Sequence, residues 1–179
     1  MLSQFKVLFT LSLFLAGPAF QALAYPYPGA HLDDGEMTNL FIRGGTSSLT
    51  VRVGTQPTSG LTCPATNNGE NRDYAEHAYT AGQIKAAMTE GATLAAKGKQ
   101  LGKSLYPHNY KNRERLPFTC GKHKMEFPIQ TDGKVYDGGL TDNIPDRVIY
   151  DYSKDSKDFK VTFCGVIRHG PTEKFLKCT

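Results

Sequence analysis

"TAGQIKAAMTEGATLAAKG", residues 80–98, decides the fold class, because it carries the clearest helical pattern in the chain. Thr80 with Gln83 three residues later forms a capping box, which marks the start of a helix. Small and apolar residues then recur at helical spacing, and Gly98 suits the end of the helix. These residues are Ile84, Ala87, Met88, Gly91, Leu94 and Ala95. Such a stripe has to be covered by a second layer.

Three later segments predict the strands of that layer. "KMEFPI" (124–129) alternates, with its apolar residues on one face and Lys124, Glu126 and Pro128 on the other. "DRVIYDY" (146–152) is β-branched and aromatic. "FKVTFCGVIRH" (159–169) alternates again. We expect its residues Phe159, Val161, Phe163, Ile167 and His169 on one side. One helix followed by several antiparallel strands predicts an α+β fold, a helix packed on a twisted antiparallel sheet.

The chain begins with a pattern typical of a secretory signal peptide. Residues 1–24 contain Lys6, an apolar run and the small-residue sequence "ALA" before Tyr25. We assign residues 25–61, rich in Gly, Pro, Thr and Asp, to an N-terminal extension for which a hairpin is one option. Residues 62–179 form the main domain. No later segment is apolar enough to cross a bilayer, so we expect a secreted, extracellular protein without a membrane partner.

The four cysteines, Cys63, Cys120, Cys164 and Cys178, all lie after the leader. An even number behind a signal peptide predicts two disulfides, with three possible connectivities. A structural zinc site is the alternative. It usually needs two cysteines separated by two to four residues, a spacing that is absent here. We therefore expect disulfides and no metal.

Positive charge is concentrated between Lys97 and Met125. Glu114 is the one acidic residue in this segment, against Lys97, Lys99, Lys103, Lys111, Arg113, Arg115, Lys122 and Lys124. A local field of this sign favours a polyanion such as nucleic acid or an acidic membrane surface. The alternative is a lysine-rich solvated face without a partner.

Four side chains, one of them in this segment, suit phosphodiester chemistry. In an antiparallel sheet the outward residues of neighbouring strands stand close together, so Glu126, Arg147 and His169 could share a face with His108. Cleaving RNA through its own 2′-hydroxyl needs a base, an acid for the departing 5′-oxygen, and donors for charge on the phosphoryl oxygens. A carboxylate, an imidazole and a guanidinium supply these without metal or cofactor.

The chain also resembles the small secreted fungal ribonucleases, the guanyl-specific family that includes purine-preferring members and the sarcin-type ribotoxins. The resembling blocks follow in the family's order: "SLYPHNY" (104–110), "EFPI" (126–129), "DGKVYDGG" (132–139), "PDRVIY" (145–150), "FCGVIRH" (163–169) and "FLKCT" (175–179). The resemblance implies the microbial ribonuclease fold and a monomer that acts on single-stranded RNA. It also implies the pairs Cys63–Cys178 and Cys120–Cys164.

The resemblance further implies a role for each site residue. Glu126 is the general base, assisted by His108, and His169 is the general acid. Arg147 and Tyr106 hold the phosphoryl oxygens. A sixth residue, Phe175, packs beside the phosphate. The product is a 2′,3′-cyclic phosphate that is slowly hydrolysed to a 3′-phosphate.

The predicted base-binding loop departs from the family pattern. It contains Tyr110, Lys111, Asn112, Arg113 and Glu114. Tyr110 can stack under a base and Glu114 can accept from a purine edge, while Arg113 stands where the guanine enzymes have a second aromatic lid. The segment "HGPTEKF" (169–175) is also shorter than in many members. The predicted preference is therefore guanine or, more broadly, purines.

Two other functions remain open at this level. A ribonuclease-like fungal effector would bind RNA or a host protein on the same scaffold, and the predicted 25–61 extension would suit that role. A ribotoxin-like nuclease of ribosomal RNA is the second. It is disfavoured because the long basic loop of the ribotoxins is missing between His108 and Glu126.

Overall fold

The computed structural model describes residues 49–179, and the predicted helix is its one α-helix within that range. Helix α1 spans Ala81–Ala96 and has Thr80 as its N-cap, with both hydrogen bonds of the capping box to Gln83 present. Its buried face consists of Ile84, Ala87, Met88, Gly91, Ala92 and Leu94. Gly98 follows the helix with φ of 63°, a conformation that glycine adopts without steric cost.

Ten strands accompany the helix in the described range. They are β1 Thr50–Val53, β2 Leu61–Cys63, β3 Thr66–Asn67, β4 Asp73–Tyr74, β5 His77–Tyr79, β6 His108–Asn109, β7 Lys124–Ile129, β8 Asp146–Lys154, β9 Asp158–His169 and β10 Phe175–Lys177. The main sheet has the order β1-β9-β8-β7-β6. Strand β1 pairs with the N-terminal part of β9, and β10 pairs with the C-terminal part of β9. The segment predicted as a loop around residues 63–74 contains two short ladders, β2 with β5 and β3 with β4.

The sheet is mixed, which corrects the prediction of an antiparallel sheet in one respect. Strand β1 runs parallel to β9, with Thr50 opposite Asp158 and Val53 opposite Val161, whereas the other paired strands are antiparallel. This strand comes from the predicted 25–61 extension. A hairpin partner for it would have to lie in residues 25–48, outside the described range. The predicted signal peptide, 1–24, lies outside that range too.

A β-bulge in β9 makes one sequence prediction wrong. The register places Ile149 opposite Gly165 but Tyr150 opposite Phe163, so Cys164 is an extra residue and the alternation inverts there. Phe159 and Val161 therefore face the helix, but Ile167 and His169 lie on the opposite side of the sheet from them. We refer to these two sides as the helix face and the site face.

The main core lies between α1 and the helix face. Its largest buried side chains include Met88, Phe127, Val148 and Tyr150, with Phe159, Val161 and Val166 beside them. Asp146 and Arg168 are fully buried at one end of this core. The Arg168 guanidinium donates to both carboxylate oxygens of Asp146 at 2.8 Å, and the Tyr79 hydroxyl donates to Asp146 Oδ2 at 2.6 Å. This pair is a structural ion pair of the core.

Two disulfides cross-link the chain. Cys63–Cys178 has a sequence separation of 115, and Cys120–Cys164 has a separation of 44. This is the pairing that the resemblance implies. The first bond is buried, and the second joins the segment after the predicted base-binding loop to the bulge of β9.

No helix within residues 49–179 is both long enough and apolar enough to cross a membrane.

Candidate active site

Strand register places five of the six predicted catalytic residues on the site face, and Tyr106 is the sixth. His108 lies opposite Glu126, and Glu126 lies opposite Ile149. One pleat further along, Arg147 lies opposite Ile167. His169 then lies opposite Phe175. Because directly paired residues and residues two apart share a face, all of these side chains project from the same side of the sheet.

His108 and Glu126 form the first half of the site. Their Nδ1 and Oε1 atoms are 3.4 Å apart, with Glu126 buried and His108 about one-third exposed. Burial raises the pKa of Glu126 to about 7; Arg147 opposes this shift and Glu114 adds to it. Burial likewise lowers the pKa of His108, a shift that the backbone hydrogen bond of Asn109 opposes and Arg147 reinforces. Glu126 therefore exchanges its proton near neutral pH.

Arg147 and Tyr106 form the centre of the site. Arg147 is 3% exposed, and its Nε donates to the Tyr106 hydroxyl at 2.7 Å. Its Nη1 donates to the carbonyls of Ile144 and Asp146 at 2.6 and 2.9 Å. Within residues 49–179, Nη2 makes no hydrogen bond and Arg147 has no carboxylate partner. A buried cation without a carboxylate is suited to an anionic ligand.

Tyr106 also connects the two halves of the site. Its ring stacks on His108, with centroids 4.5 Å apart, and it lies 5.0 Å below the guanidinium of Arg147. The peptide bond between Tyr106 and Pro107 is cis.

His169 and Phe175 form the other half of the site. Their ring centroids are 4.3 Å apart. The backbone N–H of His169 donates a hydrogen bond to the carbonyl of Pro145, and the carbonyl of His169 accepts one from the Thr66 hydroxyl. Burial lowers the pKa of His169 to about 4; Arg147 adds to this shift and Asp146 opposes it. His169 is thus neutral in the free protein at neutral pH.

The predicted base-binding residues surround a cleft of about 380 Å³ beside His108. The cleft is lined by His108, Asn109, Tyr110, Lys111, Asn112, Arg113, Glu114, Glu126 and Phe175. Tyr110 is 8% exposed and forms the floor, while Lys111 and Arg113 are exposed on the rim and Glu114 is half-buried. The structure therefore brings all five predicted base-binding residues to one cleft.

A second cleft adjoins the other half of the site, and the sequence did not indicate it. It measures about 400 Å³ and is lined by Asn68, Glu70, Arg72, Tyr74, Thr141, Asp142, Arg147 and His169. Arg72 and Tyr74 donate to the carbonyl of Asp142, which ties the β3–β4 hairpin to the loop before β8. The hairpin precedes His169 by about one hundred residues, so no local spacing could have placed them together.

One group of three potential metal ligands occurs among residues 49–179, and its members are engaged elsewhere. It consists of Cys63, Cys178 and Asp146. The two cysteines are bonded to each other, and Asp146 is paired with Arg168. The group therefore has no free ligand for a metal.

The chain is similar to several known proteins. A family model described as ribonuclease matches residues 67–179. Guanyl-specific ribonuclease N1 of Neurospora crassa is 39% identical over 87 residues, which are 49% of this chain and 55% of that protein. Guanyl-specific ribonuclease Ap1 of Aspergillus pallidus is 32% identical over 102 residues, which are 57% of this chain and 91% of that protein. This chain thus spans about half the length of the first relative and most of the second.

A solved structure was also found, that of the ribotoxin restrictocin complexed with a 29-mer analog of the sarcin/ricin domain RNA. It aligns with a TM-score of 0.43 and 20% sequence identity, covering 68% of this chain and 99% of restrictocin.

Proposed function

The chain belongs to the ribonuclease family, and we propose that it is a secreted, metal-independent endoribonuclease. It cleaves single-stranded RNA on the 3′ side of guanine, or of purines more broadly, and leaves a 2′,3′-cyclic phosphate. One observation carries the proposal: buried Glu126 and Arg147 share the site face with His108 and His169. The preference for guanine is supported by the relatives, which are named guanyl-specific. Secretion is supported by the leader pattern of residues 1–24.

Glu126 is the general base of the proposed reaction. Burial raises the pKa of this carboxyl to about 7, so its ionised form takes a proton more readily than an ordinary carboxylate does. His108, with Nδ1 3.4 Å from Glu126 Oε1, can share the proton of the 2′-hydroxyl or replace Glu126 in part. The 2′-oxygen then attacks the adjacent phosphorus.

Arg147 and Tyr106 stabilise the charge that grows on the phosphoryl oxygens. The free Nη2 of Arg147 is a donor for one oxygen. The Tyr106 hydroxyl accepts from Arg147 Nε and therefore keeps its own proton for a second oxygen. Both donors are fixed before the substrate arrives, which is the condition for effective electrostatic stabilisation.

His169 is the general acid for the departing 5′-oxygen. Its pKa of about 4 in the free protein is too low for an acid at neutral pH. A phosphodiester bound between Arg147 and His169 places an anion beside the imidazole, and an anion favours its protonated form. Phe175 packs against the ring at 4.3 Å and limits its rotation. The second cleft, which begins at His169, gives the departing nucleoside room to leave.

Base recognition belongs to the cleft beside His108. Tyr110 offers a ring face at its floor, and Arg113 on the rim can stack through its guanidinium plane. Glu114 accepts hydrogen bonds, so it favours guanine, whose Watson–Crick edge carries two neighbouring N–H donors, over adenine. Since Arg113 is exposed and stands where the guanine enzymes have a ring, discrimination against adenine is expected to be incomplete.

The test is the cleavage pattern of the pure, oxidised protein on a defined RNA in excess chelator. We expect cuts after guanine and fewer after adenine, with 2′,3′-cyclic phosphate ends. The His169→Gln variant, purified in the same way, controls for a contaminating nuclease. An absence of cleavage by the wild-type protein would overturn the proposal and favour a binding effector built on the same scaffold.

A further inference from the structure

A second, smaller apolar cluster lies on the site face, beneath the base cleft. Tyr110, Ile149 and Ile167 are its buried members, and Leu116, Phe118, Cys164 and Phe175 pack against them. Leu116 and Phe118 belong to the loop between β6 and β7, which folds back over the sheet. The wall of the base cleft is therefore built on this cluster.

Three contacts attach the far end of that loop to β9 and β10. The Cys120–Cys164 disulfide joins it to the bulge of β9. Lys177 Nζ donates to the carbonyl of Pro117 at 2.8 Å and lies 5.3 Å from the centre of the Phe118 ring. Phe118 also covers Gly165, where an added Cβ would lie 3.1 Å from the ring. Of these contacts, the disulfide is the covalent one.

The near end of the loop is shaped by Asn112. Its side-chain amide exchanges two hydrogen bonds with the backbone of Leu116, at 2.8 and 2.9 Å, and its Oδ1 accepts from the Tyr110 hydroxyl at 3.3 Å. The Tyr110 ring makes T-shaped contacts with Phe118 and Phe175, at centroid distances of 5.9 and 6.2 Å. The orientation of Tyr110 thus depends on Phe118, and Phe118 depends on the attachment at Cys120.

We infer that the Cys120–Cys164 disulfide is a specificity element of the site, and that Phe118 is a positioning residue that fixes Tyr110 for base binding. This inference rests on the proposed function. The groups proposed for the chemistry lie on β6 to β10 or, like Tyr106, beside β6, so they keep their places without the loop. A released loop has to be ordered again whenever a base binds, which weakens binding without slowing the bound substrate.

The test compares the double variant Cys120→Ser/Cys164→Ser with the wild-type protein. Two quantities are measured, the Kd for guanosine 3′-monophosphate and adenosine 3′-monophosphate, and kcat and KM for GpN and ApN dinucleotides. We expect the Kd and KM for guanine ligands to rise about tenfold or more, kcat to fall less than about threefold, and discrimination between guanine and adenine to shrink. Phe118→Leu should show a smaller shift of the same kind.

Met88→Ala is the matched control, because it destabilises the fold from the helix face and leaves the loop intact. Both variants are assayed well below their unfolding midpoints. If the disulfide variant keeps its Kd and its discrimination, as Met88→Ala is expected to do, the disulfide contributes stability alone and the inference is wrong. If the wild-type protein fails to cleave RNA, the proposed function fails first, and this inference fails with it.

Discussion

Arg147 and Arg168 lie on neighbouring strands of one sheet, and both are buried, but their guanidinium groups are used differently. On the helix face, each nitrogen of Arg168 has an acceptor. Nε and Nη2 donate to Asp146, and Nη1 donates to the carbonyls of Pro64 and Ala75. On the site face, Arg147 donates to a hydroxyl and two carbonyls, and its Nη2 has no partner within residues 49–179.

This difference separates a structural charge from a functional one. A buried cation whose hydrogen bonds and counter-charge all come from the protein has nothing left to offer a ligand. A buried cation with polar neighbours but no carboxylate keeps its charge for an anion that arrives later. The same contrast applies to the carboxylates, since Asp146 is paired whereas Glu126 is buried beside a histidine and has a raised pKa.

The largest effect is expected on the site face, at His169. His169→Gln removes the general acid and leaves the departing 5′-oxygen without a proton, so kcat should fall by about 10²–10⁴-fold while the fold is kept. Single-turnover cleavage of a GpN dinucleotide measures this loss. His123→Gln, at an exposed histidine away from the site, is the control and should retain activity. Full activity in His169→Gln would remove this residue from the mechanism.

On the helix face, Arg168→Met should lower the stability of the protein. The substitution leaves Asp146 buried without its partner, an effect that typically costs about 3–5 kcal/mol. Denaturant unfolding gives the loss of free energy, and activity per folded molecule should change much less than in His169→Gln. Arg52→Met breaks an exposed pair with Asp158 and should cost less than about 1 kcal/mol. Equal stability of Arg168→Met and the wild-type protein would contradict the structural role of the pair.

Glu126→Gln should show how much stability the protein loses by keeping an ionisable carboxyl buried on the site face. The folded protein raises the pKa of Glu126 from 4.5 to about 7, so the stability contributed by its protonated form is complete below pH 4.5 and lost as the pH rises to about 7. Relative to the wild-type protein, the Gln variant should therefore gain on the order of 3 kcal/mol between pH 4 and pH 8.

Denaturant titrations of both proteins across this range measure that gain. Glu70→Gln, which replaces a carboxyl at an exposed position, is the control for the substitution itself. Parallel stability curves for Glu126→Gln and the wild-type protein would mean that Glu126 titrates like an ordinary carboxyl.

The pH dependence of kcat/KM should show the same groups. It reports the free enzyme, in which His169 has a pKa of about 4 and Glu126 of about 7. The active form needs one proton on this pair, so the profile should be a bell between these values and fall about tenfold per pH unit outside them. Bound phosphate favours the protonated form of His169 and so raises its pKa, and the optimum of kcat should therefore lie at a higher pH than that of kcat/KM. A profile that is flat from pH 3 to pH 9 would exclude the pair.

The sequence predicts those parts of the fold and of the site that depend on a local pattern. The capping box of Thr80 gave the start of α1, and the alternation of "KMEFPI" separated Glu126 from the core residues Phe127 and Ile129. Glu126, Arg147 and His169 were correctly expected to share a face with His108. Each of these inferences needs only the period of one element or the pairing of neighbours.

The predictions that failed needed long-range information. The bulge at Cys164 adds one residue to β9, and this reverses the face of Ile167 and His169 without any change in the alternating pattern that precedes it. The parallel pairing of β1 with β9 joins segments about one hundred residues apart. The Asp146–Arg168 pair was missed because each residue adjoins a more conspicuous one, Arg147 or His169, although two opposite charges at inward positions of adjacent strands are a usable signal.

The most direct test of the difference between the two faces is kcat/KM of Arg147→Lys, measured beside its free energy of unfolding. Lysine keeps the positive charge but lacks the planar fork that can bond Tyr106 and a phosphoryl oxygen together. We expect kcat/KM for a GpN dinucleotide to fall about 10²-fold or more, with a loss of stability below that of Arg168→Met. An Arg147→Lys variant that cleaves RNA at the wild-type rate but is strongly destabilised would contradict the account, because Arg147 would then be a structural charge like Arg168.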